Sequence, residues 1–191
     1  MCLLINACTC SKTRETSAPQ AVTPGYTRYI IPGGSHYASE NTYRALRLKK
    51  LTFNTIFDSS CIYNIQVKEN AGDINKLYGF SDCNTAHHEN SARFGWRWFN
   101  DELQIFAYGY AGGTRHWKQM GAIPIGTAVT MSIALEQRHY VFELNGKTER
   151  LPRNCAAEYA EGYRLYPYFG GDEAAPHEIR IWIRELDGLS R

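Results

Sequence analysis

Apolar and polar residues alternate with a period of two along much of this chain, which is the spacing of a strand that buries one face. Residues 51–57 alternate in this way, and residues 61–67 do so again after the polar break Asp58-Ser59-Ser60. Residues 129–135 and 178–186 repeat the pattern. Each of these segments predicts a short strand rather than a helix.

Turn signals join several of the predicted strands into hairpins. Residues 94–98 and 103–110 flank Asn100-Asp101-Glu102, which predicts a hairpin loop, and the glycines at 112 and 113 break the second strand. Asn145-Gly146 tolerates positive φ at both positions, so it favours the type I′ turn that returns residues 147–151 antiparallel.

Two segments depart from the strand pattern. Residues 40–50 have helical potential, but the segment is too short and too basic to anchor a core. Residues 68–97 include a polar connection that is long for a compact domain, so it predicts either a functional segment or a further strand. Roughly ten short strands with hairpin signals predict an all-β fold, a two-sheet antiparallel β-sandwich or jelly roll over residues 26–191.

Residues 1–25 lack this periodicity and are typical of a leader followed by a flexible tether. Ile5-Asn6-Ala7-Cys8 resembles the end of a bacterial lipoprotein signal, in which Cys8 would carry the lipid. The apolar run is short and no basic region precedes it, so either the true start lies upstream or this is an ordinary N-terminus. We expect an exported protein of the bacterial cell envelope, periplasmic or anchored to the outer membrane.

Cysteine usage limits the disulfides of the domain. Three of the six cysteines, Cys61, Cys83 and Cys155, lie within it, so at most one disulfide forms there. Cys61 with Cys83 is the first choice of pair, and three small buried thiols are the alternative.

The second half of the domain carries a resemblance to a known fold. A strand that ends in Asn145-Gly146, followed by a last strand with Ile179, Ile181 and Ile183, resembles the concanavalin-A-like (laminin-G-like) sandwiches. Residues 87–96 and 166–177 are also similar to uncharacterised exported lipoproteins of Bacteroidetes-type bacteria. The first resemblance implies two packed sheets, and the second implies export without an assigned activity.

Composition and charge narrow the choice of partner. The chain has 13 Tyr, 8 Phe, 4 Trp and 16 Gly, an excess that suits strands joined by tight turns. Its net charge is +2, from 21 basic and 19 acidic residues, which gives no electrostatic reason to expect nucleic acid or an anionic membrane surface as partner.

The strand alternation also places aromatic residues away from the core. If Leu103, Ile105 and Ala107 point inward, then Tyr108 and Tyr110 point outward. Aromatic rings stack on the C–H faces of sugars, so an outward groove of this kind favours an oligosaccharide, whereas a second buried layer is the alternative. The candidate ligand-binding residues are His88, Asn90, Arg93, Trp96, Arg97, Tyr108, Tyr110, Tyr166, Tyr168, Asp172 and Trp182.

Three functions remain open at this point. The leading hypothesis is an exported, lectin-like module that binds a glycan without catalysis. The alternative is an enzyme on polysaccharide: in a lyase, Arg97 or Arg180 would neutralise a uronate carboxylate while His88, Tyr108 or Tyr166 abstracts the adjacent proton, and a glycoside hydrolase would instead need two carboxylates. The third is a structural envelope lipoprotein without a small ligand.

No cofactor is expected. Cys83 with His87 and His88 lacks the paired ligand spacing of zinc sites. Asp73 and Asp172 are weak calcium candidates, because neither belongs to an alternating acidic loop and both suit turns.

Overall fold

The computed structural model describes residues 24–65 and 67–186, which form two antiparallel sheets of six strands each. Cys8 and the rest of residues 1–23 lie outside the described residues. No helix in the described part of the chain is long and apolar enough to cross a bilayer.

Twelve strands follow one another along the chain. They are β1 (Thr27–Ile31), β2 (Ala45–Leu48), β3 (Lys50–Phe57), β4 (Asn75–Ser81), β5 (Ser91–Phe99), β6 (Glu102–Ala111), β7 (Thr114–Ile123), β8 (Val129–Glu136), β9 (His139–Leu144), β10 (Lys147–Pro152), β11 (Ala160–Leu165) and β12 (Ile179–Glu185). The first sheet has the order β1-β12-β3-β8-β9-β10, and the second has the order β2-β11-β4-β5-β6-β7. The predicted all-β, two-sheet jelly roll is confirmed.

Large aromatic side chains fill the space between the sheets. Phe53 and Phe142 of the first sheet meet Phe94 of the second edge-to-face, with ring centroids 5.9 and 5.2 Å from that of Phe94. Phe57 packs on Trp96 in the same layer. Because these rings come from alternate positions, the residues between them face outward on both sheets.

Both predicted hairpins form, and the turn at Asn145-Gly146 has the expected backbone. Asn100 and Asp101 adopt φ values of 53° and 59° between β5 and β6. Asn145 and Gly146 adopt 50° and 79° between β9 and β10. Positive φ at both central positions matches the right-handed twist of the flanking strands.

Two predictions about local structure were wrong. Residues 40–50 contain β2 and the start of β3 instead of a helix. The described residues of the segment 61–67 form no strand, since a 3-10 turn at Ser59–Cys61 ends the run and a second turn follows at Lys68–Gly72. The polar connection does contain a further strand, β4, which was one of the two alternatives.

The disulfide joins Cys83 to Cys155, so the prediction of a Cys61–Cys83 pair was wrong. Cys61 is buried and free, and its thiol donates to the carbonyl of Arg180 on the first sheet at 3.5 Å. Cys83 follows β4 of the second sheet, which places it next to the connection between β10 and β11.

A buried ion pair lies beside this disulfide. Arg153 Nε contacts Asp82 Oδ2 at 2.6 Å, and the Tyr140 hydroxyl donates to the same oxygen at 3.0 Å. The amides of Cys83 and Glu161 donate to the other carboxylate oxygen at 2.6 and 3.2 Å. Asp82 therefore fastens the start of the loop at residues 82–90 to the sandwich.

Candidate functional site

Five strands of the second sheet each contribute one residue to a row on its outer face. Going from β11 to β7, the register pairs Leu165 with Gly79, Gly79 with Arg93, Arg93 with Tyr108, and Tyr108 with Trp117. Residues directly opposite one another in antiparallel strands share a face of the sheet. This row, called here the central row, therefore runs across the strands.

A groove lies over the central row. It consists of two cavities of about 500 and 160 Å³ that are both lined by Lys76 and Gly171. His87 and Tyr163 line the larger cavity, whereas Trp117 lines the smaller one. The groove thus extends from the β11 side of the sheet to the edge strand β7.

Arg93 is the most unusual residue of the groove floor. It is 6% exposed, and its Nε has no hydrogen-bond partner among the described residues. The phenols of Tyr108, Tyr110, Tyr163 and Tyr168 surround its guanidinium. Burial lowers the pKa of Arg93 to about 10, so the guanidinium stays charged at neutral pH. No carboxylate of the described residues forms an ion pair with it.

Gly79 allows Arg93 to occupy this place. A Cβ at position 79 would lie 2.1 Å from the carbonyl oxygen of Ala92 and 2.4 Å from the Cβ of Arg93. Only glycine therefore permits β4 and β5 to approach one another beside the guanidinium.

Lys76 adds a second cation next to Arg93. Its Nζ donates to the carbonyl of Gly170 at 2.7 Å and lies 5.7 Å from the centre of the Tyr108 ring. Burial, followed by the charge of Arg93, lowers the pKa of Lys76 to about 8. The lysine therefore loses its charge in mildly alkaline solution.

His87 and Tyr163 form a pair at the β11 side of the groove. His87 Nδ1 lies 3.0 Å from the Tyr163 hydroxyl, which also accepts a hydrogen bond from the His87 amide at 3.1 Å. Burial, then Arg93 and His88, lower the pKa of His87 to about 4. A neutral imidazole at pH 7 can accept the phenolic proton of Tyr163.

Tyr108 is suited to donate a proton and not to accept one. Its pKa is raised to about 12, mainly by burial and then by its hydrogen bond with Tyr110. The phenol therefore keeps its proton at neutral pH and can only donate it. The groove thus combines cations, a neutral proton acceptor and a proton donor.

The outward alternation predicted for β6 is correct, and several expected ligand-binding residues lie together. Arg93, Arg97 and Tyr108 line the groove floor, and His88 and Tyr168 line its walls. Tyr110 contacts both Tyr108 and His88 through its ring. Tyr166 lines the larger cavity but also packs on the core residues Tyr29 and Tyr78.

Arg97 and Arg180 differ from Arg93 in having partners. Arg97 donates to the Gln104 side chain at 2.8 Å and to the Gly72 carbonyl at 2.7 Å. Arg180 lies on the first sheet, 3.0 Å from a carboxylate oxygen of Asp58. Arg180 is therefore outside the groove, which corrects its expected place beside a substrate carboxylate.

Two expected tryptophans are not in the groove. Trp96 is fully buried between the sheets, because its position in β5 has the inward parity and its ring packs on Phe57 and Tyr63. Trp182 belongs to β12 of the first sheet. The outer face of that sheet lies on the side of the molecule opposite to the groove. Alternation alone therefore grouped aromatic residues that lie in different places, since Tyr108 is on the second sheet and Trp182 is on the first.

Asn90 and Asp172 also differ from expectation. Asn90 is buried, where its side chain accepts from the Gly112 amide at 3.0 Å and donates to Thr85 at 3.1 Å. It therefore holds two turns together and has no donor or acceptor directed at a ligand. Asp172 is exposed on the loop between β11 and β12 and does not line either cavity.

The sequence patterns assigned no role to Arg115, Trp117 and Tyr163, which line the groove. Lys76 and His87 lie within residues 68–97, which were predicted to be a functional segment or a further strand. Alternation in β11 does not find Tyr163, because Tyr163 shares a face with Leu165, whose apolar side chain predicts an inward position. Arg115 and Trp117 lie on β7, whose polar residues occupy both faces and hide the period of two.

The described residues include one close group of metal-ligand side chains, namely Asp82, Cys83 and Cys155. The two cysteines form the disulfide, and Asp82 is held by Arg153, so this group does not fit a metal. Asp73 lines the smaller cavity, whereas Asp172 is exposed and lines neither cavity, so calcium binding at either residue stays a prediction.

Comparisons with known proteins agree on the fold. No family model matches the chain, and no curated protein is similar to it in sequence. An alginate lyase from Pseudomonas aeruginosa superposes with a TM-score of 0.55 at 10% identity, over 87% of this chain and 84% of that one. Alginate lyase AlyC3 gives 0.54 at 9% identity, over 85% and 75%.

Glycoside hydrolases share the same architecture. The laminarinase catalytic domain from Thermotoga maritima gives a TM-score of 0.54 at 9% identity, over 86% of this chain and 77% of that one. At such identities the likeness shows the concanavalin-A-like jelly roll and nothing finer. The solved structures named here are all carbohydrate-active enzymes, whereas the likeness to Bacteroidetes-type lipoproteins stays a prediction.

Proposed function

We propose that this protein is a polysaccharide lyase that cleaves a uronate-containing glycan by β-elimination in the groove. The observation that carries the proposal is Arg93, a buried guanidinium on the groove floor without an anionic partner among the described residues. A buried charge is costly unless an opposite charge compensates it. A planar substrate carboxylate supplies that charge and suits the fork of a guanidinium.

The neighbours of Arg93 match the needs of β-elimination. With the carboxylate bound to Arg93, the Tyr163 oxygen takes the proton at C5 and passes its own proton to His87 Nδ1. The electron pair of the C5–H bond forms the C4=C5 double bond, and the C4–O bond breaks. Tyr108 gives its proton to the leaving oxygen, so the products are an unsaturated uronate end and a new sugar terminus.

A glycoside hydrolase mechanism has less support from the same groove. Hydrolysis requires two carboxyl groups on either side of the scissile bond. Among the described residues that line the two cavities, Asp73 alone carries a carboxylate. Elimination instead requires a cation at the substrate carboxylate and a proton acceptor at C5, which Arg93 and the Tyr163–His87 pair supply.

We also propose that the protein works outside the cytoplasm, as its sequence suggests. The Cys83–Cys155 disulfide supports this, because such bonds persist in oxidising compartments and are rare in the cytosol. Polymeric uronates are too large to cross a membrane unaided, so a lyase acting on them has its substrate outside the cell.

The test is an ultraviolet assay with purified protein and a panel of uronate polymers that includes alginate, pectate and glucuronans. We expect an unsaturated product from at least one polymer and at least a hundredfold loss of kcat/KM in Arg93→Met, the order expected when an electrostatic stabiliser is removed. Arg150→Met is the matched control, because Arg150 lies on β10 of the first sheet in an exposed ion pair with Glu136.

Stability measurements separate loss of function from loss of fold. Arg93→Met replaces an uncompensated buried charge by an apolar group, so its Tm stays equal to or above that of the wild type. A flat absorbance trace with every polymer rejects the lyase. Binding of a polymer without cleavage, weakened by Arg93→Met, would instead restore the lectin-like hypothesis.

A further inference from the structure

Trp117 is a large aromatic side chain in solvent. It is 51% exposed on the edge strand β7, although exposed apolar residues on edge strands promote association and are usually avoided. Its ring is supported from one side by Phe106, whose centroid lies 5.9 Å away in an edge-to-face arrangement. The indole is therefore backed by the sheet while half of its surface stays free.

The surroundings of Trp117 provide polar groups for a ligand. The smaller cavity beside it is also lined by Asp73, Arg97 and Arg115, which offer both hydrogen-bond donors and acceptors. Aromatic surface together with a few directed polar groups is the usual composition of a sugar site. The cavity adjoins the larger one through Lys76 and Gly171, so one ligand can extend from one cavity into the other.

Register fixes the separation between the strands that carry Trp117 and Arg93. Arg93, Tyr108 and Trp117 lie on three successive strands, so their backbones span roughly 10 Å at the usual strand spacing. One pyranose ring does not cover that distance. A ring that stacks on Trp117 is therefore a different sugar unit from the one whose carboxylate binds Arg93.

We propose that Trp117 is the aromatic platform of a separate sugar subsite, which binds an uncleaved unit of the same glycan chain that is held at Arg93. The inference rests on the proposed function of the groove. The ring of the bound sugar stacks on the indole through its C–H face, and its hydroxyls pair with Asp73, Arg97 and Arg115. Trp117 then contributes to affinity for long chains and leaves the chemical step unchanged.

The test compares oligouronates of different length with wild type, Trp117→Ala and Trp117→Phe. Trp117→Ala raises KM for hexamers about tenfold, the loss of roughly one aromatic stacking contact, with kcat unchanged. Dimers and trimers, which are held at Arg93, show no change. Trp117→Phe, which keeps a stacking ring, recovers most of the affinity.

A fluorescence measurement gives a second signal that does not depend on turnover. Binding of hexamers protects the exposed indole of wild type from acrylamide quenching, and this protection is absent in Trp117→Phe.

Equal KM values for hexamers in wild type and Trp117→Ala would overturn the subsite while the lyase stands. Failure of wild type to bind or cleave any oligouronate would overturn both proposals. A dimer that Trp117→Ala dissociates would assign the indole to a second copy of the chain and also reject the subsite.

Discussion

At the scale of single residues, the groove floor holds one buried positive charge, that of Arg93, without a carboxylate partner among the described residues. Arg164 and Arg153 are also buried arginines, but each has a carboxylate partner, in Glu185 and Asp82 respectively. Arg93 differs because its titratable neighbours are tyrosines and the cationic or neutral groups of Lys76 and His87. A protein that keeps such a residue gives up stability for a function.

The shifted titrations of Lys76 and His87 predict the pH range of activity. His87 is neutral above about 4, so kcat/KM shows no loss between pH 7 and pH 5.5, where an ordinary histidine base would become protonated. Lys76 is charged only below about 8, so attraction of the substrate carboxylate declines as the pH rises through that value. A pH–rate profile of wild type and Lys76→Arg measures both effects, the constant kcat/KM on the acidic side and its decline on the alkaline side.

The Lys76→Arg variant shows whether the alkaline decline in kcat/KM comes from loss of the Lys76 charge or from unfolding at high pH. Arginine stays charged throughout the range, so the alkaline limb moves upward by at least one pH unit while the acidic side is unchanged. An alkaline limb that stays near pH 8 in Lys76→Arg would show that another group controls it.

At the scale of elements, one loop couples the groove to the rest of the sandwich. Residues 82–90 carry His87 and His88, and the loop is tied down by the disulfide at Cys83 and by the contacts of Asp82. The bridge closes a separation of 72 residues, from the end of β4 to the connection before β11. It therefore constrains the unfolded chain and the position of His87 together.

Removal of this bridge lowers stability and activity together. The double variant Cys83→Ser/Cys155→Ser loses about 2–4 kcal/mol in the free energy of unfolding, measured by urea denaturation, because the unfolded state gains freedom. At a temperature where it is folded, its kcat also falls, since the loop that holds His87 against Tyr163 is released. Cys61→Ala, which removes the free thiol, is the control and keeps wild-type kcat. Unchanged kcat in the double variant would show that Asp82 alone positions the loop.

Sequence patterns predicted the elements whose conformation depends on their own residues. The turns at Asn100-Asp101 and Asn145-Gly146 were predictable because their backbone conformation depends on the residues in the turn itself. The strand β7 was not, because it is an edge strand with polar residues on both faces. The partner of Cys83 was missed for a different reason, since it depends on which strand ends meet in space.

The candidate site was predictable in part, for a related reason. Alternation along β6 correctly assigned Tyr108 to the outward side, but alternation does not say to which sheet a strand belongs. Trp182 was grouped with Tyr108 although β12 and β6 lie in different sheets. Arg93 was recognised as a candidate, whereas its missing partner became visible only after the strands were paired.

At the scale of the whole molecule, cationic residues are gathered on one side although the net charge is only +2. Lys76, Arg93, Arg97 and Arg115 all line the groove, and Asp73 is the single carboxylate among its described lining residues. On the first sheet, Arg150 is instead paired with Glu136. This distribution suits the polyanionic substrate that we propose and does not need a large overall charge.

The shape of the groove predicts where along its substrate the proposed lyase cuts. Aromatic residues are exposed at both ends, with Trp117 on β7 and Tyr43 against Tyr163 beside β11, while Arg93 lies between them. A chain that crosses the sheet in this way has sugar units on both sides of the cleaved bond. We therefore expect internal cleavage: the viscosity of a uronate polymer falls steeply while few double bonds have formed, and early products are mixed oligomers. Release of a single small product from the first minutes onward, with viscosity falling only in proportion, would show instead that one end of the groove is closed to the chain.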